Sequence, residues 1–218
     1  METLSVYIDL DGCKISGTNT VDCTQYIEVV SGAVARISDA VLEHKDSIRY
    51  INVGQISECS STVVEISADI LSQFSNARQI MLEQCCITGG TLADCLENKH
   101  ELRWLHLAEM KSDCTTVLEK ISSLSSLERL YIFDTDIGTD AVDLSSTKIK
   151  RVWFYGVKLS KFPVLPSTIE ELLLCHNGTV DVSTVDWSKY SKLKQFYVDG
   201  TVFAGTIPEE IAQLIKYA

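Results

Sequence analysis

Apolar residues recur along the chain at positions 1, 4 and 6 of an eleven-residue unit. The clearest copy covers residues 127–137, LERLYIFDTDI, in which Leu127, Leu130 and Ile132 hold these positions. The residues between them alternate with the apolar ones, and a period of two residues is typical of a β-strand with one buried face. The unit therefore predicts a strand followed by a turn.

The same unit begins at nine places along the chain, and positions 4 and 6 are apolar in every copy. The intervals between copies each match the length of one supersecondary unit. The copies begin at Ser5, Thr24, Ile48, Ala77, Leu102, Leu127, Ile149, Ile169 and Leu193. Because a unit of this size cannot bury its apolar edge without a neighbour, we expect a single domain over residues 1–218 in which the copies stack.

The unit resembles the leucine-rich repeat, L-x-x-L-x-L-x-x-N/C/T-x-L. Its ninth position is Asn, Cys or Thr at Cys13, Cys85, Thr135, Asn177 and Thr201. The segment FAGTIPEEIAQL, from residue 203, is similar to the turn of plant-type repeats and occurs once. The resemblance implies an α/β leucine-rich-repeat solenoid with a parallel concave β-sheet. On its convex side we expect helices in the N-terminal half and short turns or 3₁₀ segments in the C-terminal half.

Amphipathic spacing predicts helices in the first connections, over residues 32–45, 61–74, 91–96 and 115–121. From residue 140 the connections shorten and contain Pro163 and Pro166, which favours extended or 3₁₀ turns. Residues 207–217 predict a final helix with Pro208 in its first turn. The first strand, near residues 5–10, is expected to be an unpaired edge. This predicts that the chain is part of a longer protein, or that its first copy packs on a partner or on itself.

Composition narrows the classes of function. The net charge is −11, whereas a protein that binds nucleic acid is expected to carry a basic face. No apolar run is long enough to predict a membrane span. The first residues, METLSVYIDLDG, lack a positive segment followed by an apolar one, so we expect no signal peptide. A protein partner is therefore favoured over nucleic acid and over membrane insertion.

The chain contains 8 cysteines, and two of them, Cys13 and Cys85, fall at the ninth position of the unit. A thiol there packs as a small apolar side chain. Neither end shows the dense cysteine caps that the resemblance implies for secreted members, and no C-x-x-C pair suggests zinc. We expect reduced thiols and a cytoplasmic rather than extracellular setting. The glycosylation sequon at Asn177 is expected to be a buried, hydrogen-bonded turn residue instead.

Positions 3, 5 and 7 of each strand are expected to point out of the concave face, because strand side chains alternate between faces. Aromatic residues concentrate at these positions in the fifth to ninth copies. The aliphatic Leu173 lies within the same predicted patch. The predicted partner-binding residues are Trp104, Tyr131, Phe133, Trp153, Tyr155 and Tyr197, flanked by Arg129 and Arg151. Exposed aromatic patches mark binding sites, and Trp, Tyr and Arg dominate binding hot spots.

The aromatic pattern of this face is also compatible with two roles that involve no separate binding partner. Aromatic residues suit strands in general, so the pattern could reflect strand preference alone. A terminal tail or a second copy of the chain could also cover the face, which would make the protein a structural or assembly component. If Tyr131 and Trp153 are exposed binding residues, replacing them by alanine should leave thermal stability nearly unchanged.

An enzymatic alternative rests on residues 6–13, VYIDLDGC, which resemble the first motif of haloacid-dehalogenase-like phosphatases. The resemblance implies Asp9 as nucleophile and Asp11 as acid/base. Cys13 stands where that motif has Thr, and no later acidic motif completes a magnesium site. The four histidines show no metal-ligand spacing. We therefore predict a non-catalytic protein without metal or cofactor.

Overall fold

The computed structural model describes residues 5–9, 12–16, 26–30, 45–54 and 63–217. The protein is α/β, and its main element is an 11-stranded, mostly parallel sheet that is not closed into a barrel. The strands are β1 (Ser5–Asp9), β2 (Gly12–Ser16), β3 (Tyr26–Val30), β4 (Tyr50–Gly54), β5 (Val64–Ser67), β6 (Gln79–Glu83), β7 (Cys85–Thr88), β8 (Trp104–Ala108), β9 (Arg129–Phe133), β10 (Arg151–Tyr155), β11 (Glu171–Asp181), β12 (Gln195–Ala204) and β13 (Ile215–Tyr217). Apart from β2 and the separate pair β5–β7, neighbouring strands follow the order of the sequence.

The register of the sheet agrees with the predicted unit from the second copy onward. Each residue at position 3 pairs with the residue at position 3 in the next copy. The series is Tyr26, Tyr50, Gln79, Trp104, Arg129, Arg151, Glu171 and Gln195. Side chains of one position therefore form a column that crosses the sheet.

Positions 4 and 6 form the core, as the apolar pattern predicts. In β4, β6 and β8 to β12, no side chain at these positions is more than 5% exposed. Leu105, Leu130 and Val152, for example, are neighbours in one column and are each 0% exposed. Burying one such side chain contributes roughly 1.5–3 kcal/mol, so this double column is the main source of stability.

In the six copies that begin at residues 77, 102, 127, 149, 169 and 193, the chain turns at position 8. The residues there have left-handed φ angles, including Gln84 at 49°, Asp134 at 42° and Gly156 at 64°. The backbone N–H of Asp134 donates to the carbonyl of Tyr155 in the next strand at 2.8 Å. Glycine suits this left-handed φ at Gly156, where a Cβ would displace the Asp134 carboxylate. The turn at Asp134 is thus held in place by a hydrogen bond to the adjacent strand.

The ninth position satisfies backbone groups inside the turn. Asn177 Nδ2 donates to the carbonyls of Phe154 and Cys175, both at 2.9 Å. Its Oδ1 accepts from the N–H of Val157 at 3.2 Å, and the side chain is 5% exposed. The prediction that Asn177 is a buried turn residue is therefore confirmed.

Other residues at the ninth position make matching contacts. Cys85 Sγ lies 3.2 Å from the carbonyl of Val53 and 3.0 Å from that of Glu83, and the side chain is 0% exposed. Thr135 Oγ1 donates to the carbonyl of Phe133 at 2.8 Å and accepts from the N–H of Met110 at 3.2 Å. The predicted burial of Cys85 at this position is confirmed.

The N-terminal end differs from the prediction. Strand β1 is not an unpaired edge, because β2 pairs with it antiparallel. Two residues separate β1 from β2, the length of the commonest hairpin loop. Cys13 therefore belongs to a returning strand instead of a turn. Tyr7 pairs with Glu28, so the first copy is shifted by two residues from the predicted register. The shift preserves the face of each side chain because it is an even number.

The helix predictions are confirmed in part. Helices α2 (Leu92–Cys95) and α3 (Val117–Ile121) lie within the predicted segments. Thr91 begins α2 with a capping box, in which Thr91 Oγ1 accepts from the N–H of Asp94 at 3.1 Å. Residues 140–208 contain no α-helix, and Trp187–Tyr190 form a 3₁₀ helix, as predicted for the connections after residue 140. The helix predicted over residues 32–45 falls mostly outside the described residues.

Two helix predictions are wrong over part of their length. In the segment 61–74, β5 precedes the short helix α1 (Ala68–Ser72) and pairs with β7 in a two-stranded sheet. The β-branched residues Val64 and Ile66 favour this extended start. At the C-terminal end, helix α4 is confined to Glu209–Ala212, and β13 follows it. Pairing of Ile215 with Phe196 replaces the last helical turns.

A buried lysine ends helix α1. Lys99 is 0% exposed, and its Nζ donates to the carbonyls of Leu71 at 2.9 Å and Ser72 at 3.1 Å. These are carbonyls at the C-terminal end of α1, and that of Leu71 also accepts from the N–H of Phe74 at 3.3 Å. Burial lowers the pKa of Lys99 to about 8.

Replacing Asn177 by alanine should lower the free energy of unfolding by about 2–4 kcal/mol, because buried backbone groups would lose their partners. Chemical denaturation measures this change. Thr179→Ala is the matched control, since it removes the same sequon but no hydrogen bond of Asn177, and it should change stability by less than about 0.5 kcal/mol. Equal effects of the two substitutions would contradict the role assigned to Asn177.

The pKa of Lys99 predicts a pH dependence of stability. Between the folded pKa of about 8 and the ordinary value of 10.5, the unfolded chain holds a proton that the folded chain has lost. Stability of the wild type should therefore rise with pH relative to Lys99→Met, by about 1 kcal/mol per pH unit. Urea denaturation of both proteins at pH 8, 9 and 10 tests this, with exposed Lys111→Met as control. Parallel curves for the wild type and Lys99→Met would contradict it.

Candidate functional site

The predicted binding residues lie on one face of the sheet. Trp104 is at position 3 of β8, and Tyr131 and Trp153 are at position 5 of β9 and β10, where they pair directly. Phe133 and Tyr155 pair in the same way at position 7. Because side chains at alternate positions of a strand share a face, the register places all five on one surface.

Ring contacts join these side chains into a continuous cluster, which we call the aromatic network. Its members are Trp104, His106, Tyr131, Phe133, Trp153, Tyr155 and His176. Tyr131 and Trp153 stack with ring centroids 4.4 Å apart and planes 13° apart. Phe133 and Tyr155 stack at 5.9 Å and 26°. Adjacent strands are separated by about 4.8 Å, so the in-register sheet itself brings the rings to stacking distance. Each such pair contributes roughly 0.5–1.5 kcal/mol beyond its burial.

Two histidines belong to this network and were missed as site residues. The His106 ring stacks on Phe133 with ring centroids 5.2 Å apart. Burial lowers the pKa of the His106 imidazole. His176 lies 4.7 Å from Tyr155 between ring centroids, and its Nε2 is 3.2 Å from Asp199 Oδ2. The outward position of His106 was a signal for its role. No such signal existed for His176, which reaches Tyr155 from the left-handed turn at position 8.

Tyr131 is more buried than its outward position predicts. Its side chain is 7% exposed, whereas Trp104, Phe133 and Trp153 are half-buried. The ring is enclosed by Trp104 at 5.5 Å and Trp153 at 4.4 Å between centroids. Burial raises the pKa of the Tyr131 phenol, with Glu171 acting in the same direction and Arg151 opposing it. The expectation that Tyr131 contributes little to stability therefore has no support in the structure.

The two arginines flank the network, as predicted. The guanidinium of Arg129 lies over the Trp104 ring, 5.4 Å from its centroid. Arg151 Nε is 3.4 Å from Glu171 Oε2, and Glu171 Oε1 accepts a hydrogen bond from Trp153 Nε1 at 2.8 Å. Glu171 thus fixes both the indole and the guanidinium on this face.

Tyr197 lies on the same face but outside the network. Leu173 separates it from Trp153 in the register of the sheet. Lys216 Nζ lies 5.8 Å from the centroid of the Tyr197 ring, and the Tyr197 hydroxyl lies 3.3 Å from Gln195 Oε1. The predicted patch therefore divides into a ring network over β8 to β11 and a separate tyrosine on β12.

The residues of the enzymatic alternative are placed differently. Asp9 ends β1, and Asp11 lies outside the described residues. Across the described ranges, no group of three His, Cys, Asp or Glu side chains could hold a metal ion. Cys85, Cys86, Cys95, Cys114 and Cys175 are unpaired thiols. Burial raises the pKa of Cys85 and Cys95 to about 12. Such thiols are poor nucleophiles because they stay protonated.

Comparison of the chain with models of protein families gives no match, and comparison with curated proteins gives none either. In the described part of the chain, the helices are too short to cross a membrane. The function of this protein is therefore inferred from its own geometry.

Replacing Tyr131 by alanine should lower the free energy of unfolding by about 3–5 kcal/mol, because the ring is buried and stacked. Tyr131→Phe retains the stack and should cost less than about 1.5 kcal/mol. Tyr197→Ala is the control for an aromatic residue on the same face outside the network, and we expect a loss of about 1 kcal/mol. Denaturation with guanidinium measures all three. A Tyr131→Ala protein as stable as the wild type would show that the network does not contribute to folding.

Proposed function

We propose that the chain is a leucine-rich-repeat solenoid that binds a partner protein through its aromatic face, without catalysis, metal or cofactor. The in-register parallel strands and the recurring turn support the repeat architecture. The hydrogen bonds of Cys85, Thr135 and Asn177 support it too, because the ninth position of the repeat has this role. A cytoplasmic setting with reduced thiols is part of the same proposal.

The observation that carries the binding function is the partial exposure of the aromatic network. Phe133, Trp153 and Tyr155 are half-buried, although their neighbours at positions 4 and 6 are fully buried in the core. Contiguous exposed rings are unusual on a soluble protein and mark interaction surfaces. A fully covered aromatic side chain buries roughly 150–250 Å² in total. A partner can cover the part of each half-buried ring that is still exposed, so several rings together supply an anchor. Stacking holds the rings in place before binding, which lowers the entropy that ordering them would cost.

Affinity capture with a double variant tests this proposal. Phe133→Ala with Tyr155→Ala removes two half-buried rings and spares the buried Tyr131. A protein retained by the wild type should be lost, or bound at least about tenfold more weakly, which corresponds to about 1.4 kcal/mol. The retained protein is then identified, purified and titrated against both chains.

The matched control removes one aromatic and one aliphatic side chain elsewhere. Tyr217 is 86% exposed and Val164 is 48% exposed, and neither belongs to the aromatic network. Val164→Ala with Tyr217→Ala should retain the partner with unchanged affinity. Thermal unfolding of both double variants verifies that each is folded. Equal binding by the wild type and the network variant would contradict the proposal.

The alternative is a structural or assembly role, and one observation favours it. Strand β13 ends the described sheet, and its residue Tyr217 is 86% exposed. An edge strand presents unpaired backbone groups that can pair with another chain. Light scattering over a concentration series separates the two functions. A concentration-dependent dimer that is lost in the network variant would support assembly through the aromatic face.

A further inference from the structure

A cleft of about 330 Å³ opens beside the aromatic network, where strands β6, β8 and β9 begin. We call it the arginine cleft. It is lined by Tyr50, Arg78, Gln79, Arg103, Trp104, Glu128 and Arg129. Arg78 and Arg103 come directly before β6 and β8, and Arg129 is the first residue of β9. The register aligns the starts of these three neighbouring strands and so collects the arginines in one place. This concentration of positive charge is unexpected in a chain whose net charge is −11.

Two uncharged donors of the arginine cleft, Trp104 Nε1 and Gln79 Nε2, lack a good acceptor. Trp104 Nε1 is buried and has no hydrogen-bond partner in the part of the chain that the structure describes. Gln79 Nε2 donates to Met81 Sδ at 2.9 Å, and a thioether sulfur is a weak acceptor. A buried donor without an acceptor is destabilising, so an acceptor supplied by a ligand would be favourable.

Arg103 and Arg129 form no ion pair with a carboxylate in the part of the chain that the structure describes. Arg78 pairs with Glu101 at 2.9 Å, and Glu128 lies 3.7 Å from Lys150. Within the described ranges, Arg103 makes no ion pair, and Arg129 rests on the Trp104 ring instead of a carboxylate. Arg103 is exposed and Arg129 is half-buried, so a ligand can reach both.

The backbone acceptors at the cleft are already occupied. The carbonyl of Arg78 accepts from the N–H of Arg103 at 2.8 Å and from that of Trp104 at 3.1 Å. The carbonyl of Arg103 accepts from the N–H of Glu128 at 2.9 Å and from that of Arg129 at 3.0 Å. Each carbonyl has two lone pairs, so both are used. The cleft therefore offers donors in excess of acceptors.

We propose that the arginine cleft binds a carboxylate side chain in an acidic segment of the partner protein. A carboxylate matches the planar fork of a guanidinium and accepts several hydrogen bonds at once. A protein partner presents such an acceptor as the carboxylate of an Asp or Glu side chain. The cleft shares Trp104 and Arg129 with the predicted binding residues, so an acidic segment here continues onto the aromatic network. The inference rests on the proposed function, and it defines the chemistry of the partner.

A labelled hexaglutamate peptide is the probe, measured by fluorescence anisotropy at low ionic strength. The wild type should bind it and should not bind hexaglutamine. Arg103→Gln with Arg129→Gln should weaken binding at least about tenfold, because charged hydrogen bonds are lost. The matched control, Lys189→Gln with Lys192→Gln, removes the same charge from exposed sites and should leave affinity within about twofold. Equal losses in both double variants would overturn the proposal.

Trp104 distinguishes binding in the cleft from general electrostatic attraction to the protein, because its indole N–H carries no net charge. Trp104→Phe keeps a ring but removes the indole N–H, and binding should weaken about fivefold. The chain has 3 tryptophans, so indole N–H resonances from an NMR titration can be assigned individually. The Trp104 resonance should shift with hexaglutamate and that of Trp187 should not. An unmoved Trp104 resonance, or full affinity in Trp104→Phe, would overturn the assignment of the indole.

Two further measurements sharpen the test. One compares carboxylate with other anions as ligands of the cleft, and the other tests the cleft independently of the proposed function. Stronger displacement of the peptide by inorganic phosphate than by acetate would overturn the carboxylate assignment, and so would preferred binding of oligouridylate. Phe133→Ala with Tyr155→Ala should still bind hexaglutamate, because neither ring lines the cleft. If the wild type fails to bind hexaglutamate, the inference on the cleft is wrong. The proposed function is then judged by the network variant alone.

Discussion

The in-register pairing of parallel strands is the constraint on which the rest of this structure depends. It places residues of the same position about 4.8 Å apart on neighbouring strands, so each position forms a column of like surroundings. The columns at positions 4 and 6 become the core because they are apolar in every copy. The ninth position forms hydrogen bonds within the turns, as Asn177 does with the carbonyl of Phe154 in the preceding copy. A register shift of one residue would exchange the buried and exposed faces, so the core itself enforces the pairing.

The same spacing explains the aromatic network. Rings at equivalent positions of adjacent strands are held at stacking distance, as Tyr131 and Trp153 are at 4.4 Å between centroids. The sheet therefore supplies the order that a binding surface otherwise gains on contact with its partner. Stacking also reduces the ring area that is left for a partner to contact, because the rings cover one another and Tyr131 is largely enclosed. Polar anchors at the border, such as Glu171 with Trp153 and Arg151, complete the fixed arrangement.

Much of the fold could be predicted from the sequence, and the exceptions have identifiable causes. The unit predicted strands β3, β4, β6 and β8 to β12 and their pairing correctly, because apolar periodicity reports burial directly. It failed at β1, where hairpin pairing with β2 competes with the repeat pattern. It also failed at β5, where extended structure depends on pairing with β7, a partner distant in sequence. The burial of Lys99 could not be predicted, because nothing in the local sequence indicates that its ammonium group binds carbonyls at the end of helix α1.

The sequence by itself determined which side chains share a face, because that follows from alternation along each strand. It thereby placed Trp104, Phe133, Trp153 and Tyr155 on one surface with Arg129 and Arg151. Contacts between different strands were decided by the tertiary structure alone. These contacts enclose Tyr131, leave Tyr197 apart and bring His176 to Tyr155. They also collect Arg78, Arg103 and Arg129 around an indole that lacks an acceptor. The reason is physical: periodicity fixes the direction of a side chain, whereas contact distance, burial and unsatisfied hydrogen bonds depend on what the neighbouring strands present.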